Sequence, residues 1–130
     1  MLVLFVEDDA MNRRVVRDML RVVDTAMEEA EEAETGLRML AATPYDMVLM
    51  DLRMPGMDGI TAIRKLRDQP GPNQAAPVVV ITADMAPDLR DRCLAAGADE
   101  VIVKPVAMAT LLDTMARLVP SVTDDDFLID

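Results

Sequence analysis

The sequence is poor in aromatic residues, cysteine and basic side chains, and each shortage excludes a class of structure or partner. Only 2% of its 130 residues are aromatic, so the 12 methionines must fill the core together with valine, leucine, isoleucine and alanine. The single cysteine cannot form an internal disulfide, and no signal peptide or apolar run of membrane-spanning length occurs. We therefore expect a reducing, cytoplasmic location.

The charge balance is strongly acidic. The chain carries 24 acidic and 13 basic residues, which gives a formal net charge of -11. Such a surface repels both the phosphate backbone of nucleic acids and anionic membranes. We therefore expect neither direct nucleic-acid binding nor membrane association.

Four short apolar runs predict the strands of a parallel sheet, because their apolarity is continuous rather than alternating. These runs are Leu2–Val6, Met47–Met50, Val78–Ile81 and Val101–Val103. Three segments between or after the runs have apolar residues at helical spacing. Their predicted core-facing residues are Val16, Met19, Leu20 and Val23, then Ile60, Ile63 and Leu66, and finally Leu111, Leu112, Met115 and Leu118. Strands and helices that alternate in this way predict a three-layer α/β domain with right-handed crossovers.

One glutamate-rich segment, Ala26–Leu40, conflicts with this alternation. Its local propensity favours a single helix, whereas the architecture requires a strand before the helix that ends near Leu40. We predict a short edge strand over Ala26–Ala30 and a helix over Thr35–Ala42. The proline-containing segment Gln69–Pro77 is predicted to be a surface loop.

Polar side chains follow the predicted strands. Glu7 and Asp8 follow the first run, Asp51 the second, Thr82 the third and Lys104 the fourth. The carboxyl ends of parallel strands share one edge of the sheet, so these side chains should converge. Carboxylates this close repel one another unless a cation lies among them, and Mg2+ prefers oxygen ligands. A metal, a hydroxyl and an ammonium are suited to handling a phosphoryl group.

Five motifs occur in order at these strand ends and adjoining loops: VEDD at 6–9, MDLRMPGMDG at 50–59, TA at 82–83, CLAAGADE at 93–100 and KP at 104–105. With them the chain resembles the receiver domain of two-component response regulators and hybrid histidine kinases. The resemblance implies a flavodoxin-like receiver fold, a doubly wound five-stranded parallel sheet of order 2-1-3-4-5 with five helices on its two faces. It also implies a receiver domain over residues 1–119, followed by a flexible acidic tail over 120–130.

The resemblance implies specific roles for the acidic residues. Asp51 would be the phosphoacceptor, attacking the phosphoryl group of a partner's phosphohistidine. Asp8 would bind Mg2+, or Mn2+, directly and Glu7 would bind it through water. Arg53 would add its backbone carbonyl to the metal ligands.

The same resemblance assigns roles to the remaining site residues. Thr82 would donate its hydroxyl to a phosphoryl oxygen, Lys104 would pair with another, and Pro105 would follow a cis peptide bond that aims Lys104 inward. The chain contains no histidine. The phosphohistidine must therefore come from a histidine kinase or a histidine phosphotransfer protein, and small phosphodonors can also serve.

Besides Pro105, three positions are expected to modulate the site. Many receivers carry Tyr or Phe where this chain has Val101, so we expect no aromatic switch and favour a phosphorelay role. The resemblance implies that Arg53 and Asp84 occupy the positions that flank the path of water to the phosphoryl group. Because their charges are opposite, we predict an ion pair between them across the mouth of the site.

Other interpretations stay open on sequence alone. One alternative is a phosphatase with a nucleophilic aspartate, but such enzymes usually carry a second Asp two residues later, where this chain has Arg53. The other is a pseudo-receiver, which would only bind partners. Asp9 is better explained as a helix cap than as a ligand. Met11, Asn12 and Val15 are either a docking patch for a histidine-bearing helix bundle or ordinary exposed side chains. The chain suits a stand-alone receiver and a part of a hybrid kinase equally.

Overall fold

Strands and helices alternate along residues 1–119, the part of the chain that the computed structural model describes. The strands are β1 (Leu2–Val6), β2 (Ala26–Ala30), β3 (Met47–Met50), β4 (Val78–Thr82) and β5 (Glu100–Val103). The helices are α1 (Ala10–Arg21), α2 (Ala33–Ala42), α3 (Gly59–Asp68), α4 (Leu89–Ala96) and α5 (Met108–Leu118). All predicted strands are present, two of them one residue longer than their apolar runs. The predicted flexible tail lies outside the described residues.

The five strands form one parallel sheet of order β2-β1-β3-β4-β5, as predicted. Val6, the last residue of β1, aligns with Ala30 on one side and with Met50 on the other. The strand order reverses between β1 and β3, because the chain goes from β1 to β2 on one side and then to β3 on the other. Ligands bind at such a reversal in sheets of this kind. The loops after β1 and β3 therefore lie side by side at the functional edge.

Strand β2 confirms that the architecture overrides the local helix propensity of the glutamate-rich segment. Its predicted bounds are correct, whereas α2 begins two residues before the predicted start at Thr35. Tyr45 donates a hydrogen bond from its hydroxyl to Glu28 Oε1 at 2.5 Å, and Arg13 Nε donates to Glu29 Oε1 at 2.8 Å. Both partners are distant in sequence and stabilise the strand, whereas helix propensity depends only on neighbouring residues.

The opposite edge strand, β5, carries a similarly held glutamate. Glu100 Oε1 binds the guanidinium of Arg90, and Glu100 Oε2 accepts from Arg117 Nη2 at 3.2 Å. Each edge strand of the sheet thus contains a glutamate that forms ion pairs with arginines of neighbouring helices.

The core lies in two layers on the two faces of the sheet. Helices α1 and α5 cover one face with buried residues that include Leu20 and Leu111, and α2, α3 and α4 cover the other with residues that include Leu40 and Ile63. The predicted helix faces are therefore correct except at Val23. That residue is 42% exposed because α1 ends before it, at Arg21.

Two findings complete the fold. The predicted surface loop before β4 contains a buried side chain, Asn73, whose amide donates to the backbone oxygens of Leu40 and Thr43 and accepts from the Tyr45 amide. Asn73 therefore fastens this loop to the end of α2. Among residues 1–119, no helix combines the length and apolarity needed to cross a bilayer.

Candidate functional site

Three carboxylates converge at the carboxyl ends of β1 and β3, as predicted. Asp51 follows β3 and is joined to β1 by a hydrogen bond of 3.0 Å from its amide to the Val6 oxygen. Glu7 is fully buried, Asp51 is buried and Asp8 is exposed. One carboxylate oxygen from each of the three lies within 4.8 Å of the others. Oxygens at this spacing can coordinate one hard cation.

Lys104 joins the carboxylates from the end of β5. Its Nζ lies 2.7 Å from Glu7 Oε1 and 3.7 Å from Asp51 Oδ2. The Lys104 amide donates to the Thr82 oxygen at 2.7 Å, so the ends of β4 and β5 are tied together. The peptide bond between Lys104 and Pro105 is cis, as the resemblance implied.

Thr82 ends β4 and is fully buried. Its Oγ1 accepts a hydrogen bond of 3.0 Å from the amide of Asp84, which starts the loop toward α4. This contact uses a lone pair of the hydroxyl oxygen and not its proton. The structure therefore places Thr82 at the same edge of the sheet, as predicted. This hydrogen bond does not use the hydroxyl proton as a donor.

The electrostatics of the site leave its negative charge incompletely balanced. Burial, and after it the neighbouring Asp51 carboxyl, raises the pKa of Glu7 above its usual range, although Lys104 acts in the opposite direction. Burial alone would lower the pKa of Lys104, but its contacts with Glu7 and Asp51 raise it overall. Glu7 Oε2 is the one buried side-chain nitrogen or oxygen atom in residues 1–119 without a hydrogen-bond partner. The residues present therefore fit a hard divalent cation such as Mg2+, which would neutralise this charge.

The mouth of the site carries the predicted ion pair. Arg53 Nη2 lies 2.9 Å from Asp84 Oδ2, and the Arg53 side chain is 75% exposed. The hydrogen bond from Arg53, followed by one from the Ala86 amide, holds the pKa of Asp84 below its usual range. Val101, where an aromatic residue is common in receivers, is half-buried against the core under α4.

The start of α1 differs in part from the sequence prediction. Asp9 caps the helix, accepting from the Met11 and Asn12 amides at 2.8 and 3.4 Å, which confirms the capping interpretation. Met11 and Val15 are exposed, in agreement with the outward patch. Asn12 is half-buried, and its side-chain amide donates to Glu7 Oε1 at 3.1 Å, so this residue of the predicted patch faces the acidic pocket.

Sequence reasoning also missed two residues that shape the site. Arg13 is 8% exposed and donates from Nη1 to the backbone oxygen of Glu7 at 2.7 Å. Its helical spacing to Val16 and Leu20 is the signal that could have placed it on the inner face. Gly59 starts α3 so close to the loop after β3 that an added Cβ would lie 2.5 Å from the backbone oxygen of Asp51.

Comparison with known proteins agrees with this geometry. The model of the response regulator receiver domain family matches residues 3–116. The chain belongs to this family. A receiver domain is a signalling module rather than a classical enzyme.

Two curated relatives differ in how much of them this receiver domain covers. Sensory/regulatory protein RpfC of Xanthomonas campestris pv. campestris is 38% identical over 122 residues, 93% of this chain. The chain spans only 17% of the length of RpfC. Two-component response regulator ORR41 of Oryza sativa subsp. japonica is 39% identical over 119 residues, and the match covers 88% of this chain and 91% of ORR41. Receiver domains similar to this one thus occur both in long sensor proteins and in short regulators.

Solved receiver structures share the fold. The receiver domain of sensor histidine kinase PA1611 from Pseudomonas aeruginosa PAO1, with a magnesium ion coordinated in its active site cleft, matches with a TM-score of 0.83 and 30% identity over 92% of this chain and 97% of that one. Vibrio cholerae chemotaxis protein CheY4 matches with a TM-score of 0.82 and 27% identity, covering 90% of this chain and 97% of CheY4.

Proposed function

We propose that Asp51 is the phosphoacceptor of this receiver domain and takes a phosphoryl group from the phosphohistidine of a histidine kinase or a histidine phosphotransfer protein. The observation that carries the proposal is the position of Lys104, whose ammonium contacts both Glu7 and Asp51 within the group of three carboxylates. An ammonium beside a nucleophilic carboxylate offsets the charge of an incoming phosphoryl oxygen. Residues 1–119 form the unit that performs this transfer.

The metal site would be formed by Asp8 and Asp51 directly, by Glu7 through water and by the backbone carbonyl of Arg53. Mg2+, or Mn2+ in its place, would neutralise charge on the phosphoryl oxygens. The unpartnered Oε2 of buried Glu7 supports this assignment, because an additional water or cation would satisfy it. The Mg2+ in the cleft of the PA1611 receiver supports it as well.

In the transfer, a carboxylate oxygen of Asp51 attacks the phosphorus. The new P–O bond forms as the P–N bond to the partner's imidazole breaks, and the electron pair of that bond stays on the ring nitrogen. Lys104 and the hydroxyl proton of Thr82 donate to two phosphoryl oxygens. Because the chain has no histidine, the donor imidazole belongs to a partner or to another domain.

The other function classes find less support. A phosphatase of the nucleophilic-aspartate type needs a general acid near the leaving group, and the residue two positions after Asp51 is Arg53, which is paired with Asp84. A pseudo-receiver would have no use for a half-buried lysine beside the buried carboxylates of Glu7 and Asp51, since burying such charges is costly. The half-buried Val101 supports a relay role, in which the phosphoryl group is passed on.

Labelling by acetyl phosphate tests the proposal. The protein with Mg2+ should gain one phosphoryl group that is stable in acid and released by base, and omission of Mg2+ should abolish the gain. Asp51→Asn should remain unlabelled because it keeps the shape but loses the nucleophile. Asp9→Asn is the matched control, since asparagine caps a helix as well as aspartate does, and it should label normally.

The outcomes separate the three classes. Full labelling of Asp51→Asn would assign the acceptor elsewhere. A parent protein that is labelled neither by acetyl phosphate nor by a phosphorylated histidine phosphotransfer protein would be a pseudo-receiver. Multiple turnovers with steady release of inorganic phosphate from unrelated phosphomonoesters would identify a phosphatase.

A further inference from the structure

Arg13 is a buried arginine beside the functional edge, with every nitrogen of its guanidinium engaged. Nη1 donates to the backbone oxygen of Glu7 at 2.7 Å, Nε donates to Glu29 Oε1 at 2.8 Å and Nη2 donates to Glu31 Oε1 at 3.3 Å. A charge this deeply buried is costly unless it is paired. The carboxylates after and within β2 provide that pairing.

The contact with Glu7 fixes the backbone that carries the site. The Glu7 amide donates to the Ala30 oxygen at 2.9 Å, so this residue is held by β2 on one side and by Arg13 on the other. The Glu7 oxygen and the Asp8 amide belong to the same planar peptide unit. By holding the oxygen, Arg13 therefore sets the orientation in which the chain leads from the Glu7 carboxylate to the Asp8 carboxylate.

The guanidinium is itself held in place. The Glu29 carboxylate forms an ion pair with Arg13 and a second one with Arg17, which lies one helical turn further along α1. This double pairing joins the first half of α1 to the edge strand. A rigid planar fork that bridges three acceptors is a property of arginine, and a lysine ammonium cannot reproduce its geometry.

We propose that Arg13 is a positioning residue for the divalent-cation site: it orients the Glu7–Asp8 peptide, and Glu29 keeps Arg13 in the required position. The proposal rests on the function proposed above. Residues behind the metal ligands typically change metal affinity by roughly 10- to 100-fold when they are altered. The acidic run around Glu29 then has a role in the site, although it contributes no ligand.

The test compares the Mg2+ affinities of variants by calorimetry, with the Asp8 amide resonance of the metal-free protein as a second readout. Arg13→Gln should weaken Mg2+ binding about tenfold and shift that resonance. Arg13→Lys should weaken binding too, because it keeps the charge but loses the fork. Glu29→Gln should act in the same direction with a smaller effect. Labelling by acetyl phosphate should need more Mg2+ but approach the parent rate at saturation.

Arg17→Gln is the matched control, because it removes an arginine that also binds Glu29 from the same helix. Because Arg13 and not Arg17 donates to the backbone oxygen of Glu7, this variant should change the Mg2+ affinity less than Glu29→Gln does. The proposal is overturned if folded Arg13→Gln binds Mg2+ as tightly as the parent, if Arg13→Lys does so, or if Arg17→Gln weakens binding as much as Arg13→Gln. Where Arg13→Gln does not fold, parent affinity in Glu29→Gln overturns it. Failure of the parent itself to bind Mg2+ would instead refute the proposed function and this inference with it.

Discussion

Arg53 and Asp84 are joined across the mouth of the site by a hydrogen-bonded ion pair of 2.9 Å. The two residues come from the loops after β3 and β4, at the edge of the sheet that carries Asp51. Since the Arg53 side chain is 75% exposed, water competes with the pair and its contribution to stability is small. The consequence of the pair is therefore expected in the lifetime of the phosphorylated state.

Arg53→Ala and Asp84→Ala should each change the rate of spontaneous dephosphorylation more than the melting temperature. Either variant opens the same path, so the double variant should show non-additive rates. Phosphate release from the labelled protein measures the rates. Asp113→Ala, which removes another exposed ion pair on α5, should leave them unchanged. Parent rates in both single variants, or simply additive effects, would mean that the pair does not gate the site.

The response to phosphorylation should be largest in the loop after Thr82 and in α4. Val101 has no ring that could rotate inward, so the route through an aromatic side chain to α5 is missing. Amide chemical shifts of the protein with and without the phosphoryl group measure this distribution. Dominant changes at Val101 and along α5 would contradict the prediction.

Gly59→Ala should lower the free energy of unfolding by about 1 to 3 kcal/mol, the usual range for overpacking. The added Cβ would lie 2.5 Å from the backbone oxygen of Asp51 and 2.9 Å from the Cα of Leu52. Backbone atoms cannot relieve this clash by changing rotamer. Displacement of Asp51 should also slow its phosphorylation. Gly71→Ala is the control, since its Cβ would meet nothing within 4 Å and it should be neutral or slightly stabilising. Equal stability of the two variants in urea unfolding would disprove the clash.

Tyr45 should ionise unusually late. The pKa of Tyr45 is raised to about 12, first by burial and second by the Glu28 carboxylate, which accepts a hydrogen bond from the Tyr45 hydroxyl. It is the only tyrosine and there is no tryptophan, so ultraviolet absorbance reports it alone. A raised pKa in the fold means stability that is complete below pH 10, the ordinary value, and is lost as the pH rises toward 12. Glu28→Gln should lower the pKa, and an ordinary pKa in the parent would contradict the contact.

Much of the fold followed from two features of the sequence, continuous apolar runs and the polar residues directly after them. The runs located the buried strands because few other structures bury four or five successive apolar residues. The strand β2 was predictable only from the alternation of elements, against its helix propensity. The meeting of Glu7, Asp8 and Asp51 then followed, since parallel strands must end at one edge.

Contacts between distant segments could not be predicted. Asn73 stands in a segment rich in loop-forming residues, and its burial depends on backbone groups 28 to 33 residues away. The helical spacing of Arg13 could place it on the inner face of α1, but the sequence does not reveal its acceptors, which lie at the ends of β1 and β2. Val23 fitted the apolar spacing of α1, but the helix ends earlier. Spacing identifies a face without revealing what covers it or where it stops.

The glutamates on the two edge strands also bear on how copies of this domain meet one another in a crowded solution. An open strand edge invites a second chain to add a strand, which is a route to aggregation. On β2 and β5 that edge carries Glu29 and Glu100, each fixed by arginines of the flanking helices. A strand from another copy of this acidic chain would bring its own negative charge close to these glutamates. The ion-paired glutamates and the acidic surface therefore oppose strand addition at both edges of the sheet.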